Sequence, residues 1–145
     1  MSPELPHEQV YVRLGLSRIE GIGVIAIRTI PEGTNIFGND QVELVWVERS
    51  ALDAAGLTEA ERNLYHDFGI ARGDKIGCPV NFHNLTPGWY LNEPPAGEEP
   101  NVHVDDRLNF FAMRDINENE ELTVRYEQFS DAAGRRAAEK LSSGS

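Results

Sequence analysis

Side chains able to do metal or covalent chemistry are sparse in this chain, and their spacing excludes most familiar uses. The four histidines, His7, His66, His83 and His103, show no HExxH-type spacing, and the single cysteine, Cys78, has no cysteine partner. A metal site needs such a cluster, so none is expected. A catalytic thiol needs a histidine partner that the sequence does not reveal, so Cys78 reads as a small buried side chain. There is no GxSxG elbow and no phosphate-cradling GxxxxGK[ST] loop. What is left is chemistry by main chain, amide and phenol. Glycines at Glu20-Gly21-Ile22-Gly23 would let a ligand approach the backbone closely, and they also suit a plain β-turn. The stretch YLNEPPAGEEPN, Tyr90 to Asn101, offers Asn92 and Asn101, both of which are equally good turn residues. Tyr126 closes an apolar run, where a phenol either sits at a pocket mouth or packs its ring with the hydroxyl wet.

Short strands and tight turns must position these groups. Val10, Val12 and Leu14 alternate with Tyr11 and Arg13 at strand period, and Val24 to Ile30 is mostly apolar and β-branched. Ile30-Pro31-Glu32-Gly33 is a tight turn, with proline fixing one backbone angle and glycine accepting a positive φ. Residues 41 to 48, QVELVWVE, alternate again. Thr58-Glu59-Ala60-Glu61 has capping-box spacing and opens a helix to about Phe68. Gly69 to Gly88 reads as short strands and loops. Arg107 to Met113 and Glu121 to Tyr126 read as strands around a turn at Asp115 to Glu120. Ser130 caps a short C-terminal helix, and the final SSGS is a flexible end. One echo stands out. Ala26-Ile27-Arg28-Thr29-Ile30-Pro31-Glu32-Gly33 is repeated in outline by Ala112-Met113-Arg114-Asp115-Ile116-Asn117-Glu118-Asn119. Asn119 stands where Gly33 does, and asparagine is the residue that best replaces glycine in the left-handed region. Two similar hairpins are the minimal explanation.

A chain of 145 residues reads as one domain able to bury roughly two-thirds of its surface. No apolar run reaches membrane-span length, and the start carries no basic-then-apolar leader pattern. With one cysteine the expected compartment is the cytoplasm, with the nucleus as the eukaryotic alternative. A net charge of −11 argues against a nucleic-acid binder working through a basic face. It suits solubility and, through steering, a basic protein partner.

Taken in order, these pieces resemble one family. Ser17 to Ala26, followed by Arg28, Ile30-Pro31 and Gly33-Thr34, is similar to the opening of a SET domain, the S-adenosylmethionine-dependent protein-lysine methyltransferases. Asn92 with the later Pro100-Asn101 resembles the family's asparagine motif. Phe111 to Ile116, then Glu120-Glu121-Leu122-Thr123 and Tyr126, is similar to its closing motif. The resemblance covers roughly residues 10 to 129, leaving 1–9 as a lead-in and 130–145 as helix and tail. It implies a mostly β fold of several small curved sheets with few short helices and a knot-like crossing of the last two motifs. It implies S-adenosylmethionine as cofactor, no metal, and a protein substrate with an accessible lysine. Gly21, Ile22 and Gly23 would contact the methionine part through main chain. Tyr90, Asn92, Glu93 and Tyr126 would hold the rest of the cofactor, and Tyr126, beside the transferred methyl, would also be the catalytic residue. The chain departs from the pattern at Glu93, where the family has histidine, at Trp89, and at Val124, where an aromatic is frequent. The link from Asn92 to Pro100-Asn101 is longer by three residues, and the flanking zinc-binding cysteines are missing. The alternative these departures allow is a non-catalytic SET-like binding module with a decayed cofactor site.

Overall fold

Alternating apolar residues near the start of the chain build the first sheet. A computed structural model describes residues 5–38, 40 and 43–131. The chain divides into two compact units, one from Met1–Asp40 and Tyr90–Arg125, the other from Gln41–Trp89 and Tyr126–Ser145. Among the described residues, short strands in small antiparallel sheets dominate and helices are few, as the sequence predicts.

In the first unit β1 (Val12–Leu16) runs antiparallel to β2 (Ile22–Ala26), in register from Val12 opposite Ala26 to Leu16 opposite Ile22. Both strands are displaced from the predicted Val10–Leu14 and Val24–Ile30. The ladder takes Leu16 and Ile22 at its turn end and stops at Ala26. Ala26 N–H donates to the Glu120 carbonyl and the Ala26 carbonyl accepts from Asn119 N–H, while Ile27 N–H donates to the Tyr11 carbonyl at 2.9 Å. On its other edge β2 meets β8 (Glu121–Leu122), while β6 (Val102–Val104) pairs with β7 (Phe110–Ala112). Val24, Ile30, Val102, Ile116, Leu122 and Val124 are fully buried and form the core. Each stabilises the fold by roughly 1.5–3 kcal/mol relative to an exposed position. β7 begins at Phe110, not at the predicted Arg107. The Asp105 carboxylate accepts from the amides of Arg107 and Asn109, each at 2.9 Å, and Leu108 takes φ 63°. That turn cannot belong to a strand, and its hydrogen bonds from Asn109 hold the Asp105 carboxyl below its ordinary pKa.

The echoed segments do not make two separate hairpins. They pair with each other. Ile30 and Ile116 exchange both backbone hydrogen bonds at 2.8 Å. Around that centre the matching residues swap roles: Asn119 N–H donates to the Ala26 carbonyl, and Gly33 N–H donates to the Ala112 carbonyl, each at 2.8 Å. Gly33 (φ 83°) and Asn119 (φ 71°) both lie in the left-handed region, as their equivalence predicts. The repeat is therefore a local two-fold, with each copy closing the other's turn.

In the second unit the central strand β5 (Lys75–Pro79) lies between β3 (Leu44–Glu48) and β4 (Ile70–Arg72). Helix α1 (Arg49–Ala54), which the sequence does not announce, follows β3 directly with no side-chain cap. Helix α2 (Glu59–Phe68) starts where the capping box predicts. Thr58 Oγ1 accepts from Glu61 N–H at 3.1 Å, and Glu61 Oε1 accepts from Thr58 N–H at 2.9 Å. These bonds hold the Glu61 carboxyl below its ordinary pKa. Trp46 lies flat across Gly77, where a Cβ would come within 2.8 Å of the indole. The Arg72 guanidinium sits 5.5 Å from the same ring. Cys78 is buried, and burial pushes its thiol pKa up to about 11. Ser130 is buried, and its hydroxyl accepts from Ala71 N–H at 2.9 Å. The helix expected after it and the SSGS end lie outside the described residues.

Candidate functional site

Three segments far apart in sequence meet in the first unit: the loop Ser17–Gly23, Asn92, and Glu121 at the head of β8. Ser17 organises the loop. Its hydroxyl accepts from the amides of Ile19 (2.9 Å) and Glu20 (3.0 Å), and its N–H donates to the Gly21 carbonyl at 2.9 Å. Gly21 has φ 53°, and nothing lies within 4 Å of where a Cβ would stand, so its outer face is open. The second glycine has another reason. Gly23 lies within β2, and a Cβ there would come within 2.5 Å of Glu121 Oε2 and 3.0 Å of Ser17 Cβ. The sequence reads both glycines as giving turn freedom and close ligand approach. Only Gly21 supplies the turn. Gly23 makes room for a buried carboxylate.

That carboxylate, Glu121, is only 7% exposed. Burying an ionised group is tolerable when hydrogen bonds replace its water. Glu121 accepts from the Ser17 hydroxyl at 2.7 Å, from Arg18 N–H at 3.1 Å and from Asn92 Nδ2 at 3.2 Å. Asn92 Nδ2 also lies 3.1 Å from Ser17 Oγ and from the Glu20 carbonyl, and 3.3 Å from the Ile22 carbonyl. An amide nitrogen has two protons. With four acceptors around it, both are committed within the protein, and Oδ1 is the end of the side chain left to a ligand.

Asn101 plays the complementary part and is almost completely buried. Its Oδ1 accepts from Thr123 N–H at 2.8 Å, its Nδ2 donates to the Glu121 carbonyl at 2.9 Å, and its own carbonyl accepts from Met113 N–H. Val124 N–H donates to the Asn92 carbonyl at 3.1 Å, and Val102 N–H donates to the Thr123 carbonyl at 3.0 Å. The two asparagines of the YLNEPPAGEEPN stretch thus hold the closing segment between them. The lengthened link is anchored too. Pro94 and Pro100 are buried, Gly97 takes φ 90°, and Glu98 N–H closes a turn onto the Pro95 carbonyl at 3.0 Å. Arg125 donates to the Pro94 and Glu98 carbonyls, and Arg18 pairs with the Glu98 carboxylate at 2.8 Å.

The structure therefore brings Gly21, Ile22, Gly23 and Asn92 together. Ile22 is exposed, and Tyr90 and Glu93, on either side of Leu91 and Asn92, are half-buried. Tyr126 belongs to the second unit and is also half-buried. It does not end a strand. The β8 ladder stops at Leu122, and Tyr126 opens the 3-10 turn Tyr126–Gln128, its carbonyl accepting from Phe129 and Ser130 N–H. After Leu122 the backbone bonds of Thr123 and Val124 go to Asn101, Val102 and Asn92, so no strand partner remains to extend the ladder. The Tyr126 ring packs edge-on against Phe129, with centroids 5.9 Å apart. Arg72 Nε donates to the Phe129 carbonyl at 3.2 Å, which ties this turn to β4. Ser17 and Glu121 were missing from the predicted site. The sequence carries no signal for Glu121, because period two in Glu121-Leu122-Thr123-Val124 sets it opposite Leu122 and Val124, on the face that ordinarily meets water.

Ordered glycine, asparagine and closing motifs on small antiparallel sheets define a class of protein, and the family comparison agrees. The family model described as SET domain matches residues 21–127. The chain belongs to the SET domain family, a family of protein-lysine methyltransferases. Among solved structures, it is similar to a candidate histone methyltransferase from Plasmodium falciparum. The two share 17% identity over 79% of this chain and 90% of that one, with a TM-score of 0.48. No curated protein matches the chain in sequence.

Proposed function

We propose that this protein transfers a methyl group from S-adenosylmethionine to a lysine side chain of a protein substrate. One observation carries the reading beyond family membership: the Ser17–Gly23 loop, Asn92 and Glu121 form one intact hydrogen-bonded cluster, so the cofactor motifs are maintained in spite of the departures around them. The residues fit the group. Gly21 presents an open face, Gly21 and Ile22 are exposed residues, and the loop's conformation is fixed from behind by Ser17 and Glu121. Main chain at Gly21, Ile22 and Gly23 would hold the amino-acid end. Asn92, through Oδ1 and main chain, and the neighbouring Tyr90 and Glu93 would hold the remainder. A main-chain contact at Glu93 makes the family's histidine dispensable.

Bound S-adenosylmethionine supplies an activated methyl for in-line displacement. That chemistry asks the protein for alignment more than for acid or base strength. The lysine must arrive neutral. With a reference pKa near 10.4, roughly one in a few thousand is neutral at pH 7. An apolar approach and a nearby positive charge both lower that pKa. Tyr126 is the residue assigned to orient the amine and the methyl, through contacts that are individually weak. The net charge of −11 favours a basic protein as substrate.

Calorimetry with S-adenosylmethionine, followed by label transfer to lysine-containing proteins, tests the reading. The expected outcome is binding by wild type and Tyr126→Phe alike, with transfer reduced by about a hundredfold or more in the variant. Absence of binding at millimolar cofactor would overturn it and leave the non-catalytic module.

A further inference from the structure

We propose that Glu121 is the positioning residue of the cofactor site. Its buried carboxylate fixes the Ser17–Gly23 loop and turns Asn92 inward, so that a cofactor meets loop main chain and the Asn92 amide oxygen rather than the Asn92 N–H groups. The inference rests on the S-adenosylmethionine reading and deepens it.

Three observations converge on this one side chain. First, Glu121 gathers a donor from each of the other parts: the Ser17 hydroxyl and Arg18 N–H from the loop, and Nδ2 from Asn92. Second, the cluster leaves no spare donor on Asn92, whose nitrogen lies within 3.3 Å of four acceptors. Three of these, the Glu20 and Ile22 carbonyls and the carboxylate, can only accept, which fixes the orientation of the amide. Third, Gly23 is kept free of a side chain by Glu121 itself, since a Cβ would come 2.5 Å from Oε2. The glycine that looks like a ligand-approach residue serves the carboxylate behind the loop.

Glu121→Gln keeps the volume and changes the valence. The amide has one accepting oxygen, and its NH2 must face either Arg18 N–H or the Ser17 and Asn92 donors. Ser17 cannot compensate by turning, because its oxygen already accepts from Ile19 and Glu20. The loop must shift.

The test compares wild type with Glu121→Gln, with Ser17→Ala as a milder second variant and the exposed Glu118→Gln as control. S-adenosylmethionine binding is read by calorimetry, and amide hydrogen exchange is read without cofactor. Glu121→Gln should raise Kd by about tenfold with stoichiometry unchanged, as expected for one lost charged hydrogen bond. Exchange at Arg18, Ile19 and Glu20 should quicken while α2 stays protected. Ser17→Ala should raise Kd about threefold, and Glu118→Gln should change nothing. A Kd within twofold of wild type in Glu121→Gln overturns the inference. So does reduced stoichiometry at unchanged Kd, the signature of lost folded protein. If Glu121→Gln does not fold, an unchanged Kd in Ser17→Ala overturns it as well. Wild type that fails to bind overturns the cofactor reading, and this inference with it, which is a different result from wild type that binds beside an unaffected variant.

Discussion

The two compact units are held by different chemistry. In the first, segments distant in sequence are joined by buried polar side chains: Glu121 joins the opening loop to Asn92, and Asn101 joins the lengthened link to the closing segment. In the second, the sheet is a plain three-strand ladder trimmed mainly by aromatic contacts, with Ser130 as its one buried polar side chain bonded across a long stretch of sequence among the described residues. Trp46 lies against Gly77 with Arg72 over its ring, Tyr65 packs edge-on against Phe82 at 5.0 Å, Tyr126 packs against Phe129, and a capping box starts α2. A buried polar network is unforgiving, because losing one member strands the others without water. Aromatic contacts and caps are additive, and each is worth about 1 kcal/mol. The unit carrying the proposed cofactor loop is therefore the one with geometry tightly specified by side chains.

Substitutions can break or sharpen that contrast. The largest effect expected is at the two-fold centre: Ile116→Ala, at a fully buried site, should cost roughly 2–5 kcal/mol in a denaturant melt. Asn101→Ala should follow at roughly 2–3 kcal/mol, since it strands Thr123 N–H and the Glu121 carbonyl in a buried place. Thr58→Ala should cost only about 1 kcal/mol, the worth of one N-cap. If Thr58→Ala proved as damaging as Asn101→Ala, the contrast between networked and additive units would be wrong. The smallest effect concerns acid. Arg114, with help from Asn117 N–H and Asn101 Nδ2, holds the Glu120 carboxyl below its ordinary pKa. A depressed carboxylate stabilises the fold above its unfolded pKa, near 4.3, and that contribution is lost as pH falls through the lower folded value. Glu120→Gln should flatten the stability–pH curve on that acid side and leave its shape near pH 7 unchanged, as read by thermal melts across pH.

Local signals in the sequence proved legible. The capping box at Thr58, the turn glycine at Gly33 and its substitute Asn119 each depend on neighbours a few residues away, and each stands as read. The mostly β class followed from the same short-range patterns. Long-range partnerships were hidden. Gly23 reads as a flexible turn residue because the carboxylate that forbids its side chain arrives 98 positions later (121 − 23). Tyr126 reads as the end of a strand because nothing nearby reveals that Thr123 and Val124 spend their backbone bonds on the two asparagines. The echo was visible, but mutual pairing and independent hairpins leave the same trace in one dimension. Motif order supplied the site's main parts, and its hidden member, Glu121, emerged only when the segments stood together.

Ser17 and its closest partner, Glu121, are 104 residues apart in the chain. A ribosome adding about 5–20 residues per second needs roughly 5–20 s to travel that distance. For all of that time the opening loop has no carboxylate to close on, β2 once made lacks β8 along one edge, and for most of it Ile30 waits for Ile116. The unit that carries the proposed cofactor loop is thus begun early and finished late, and its assembly is timed by the arrival of the closing segment.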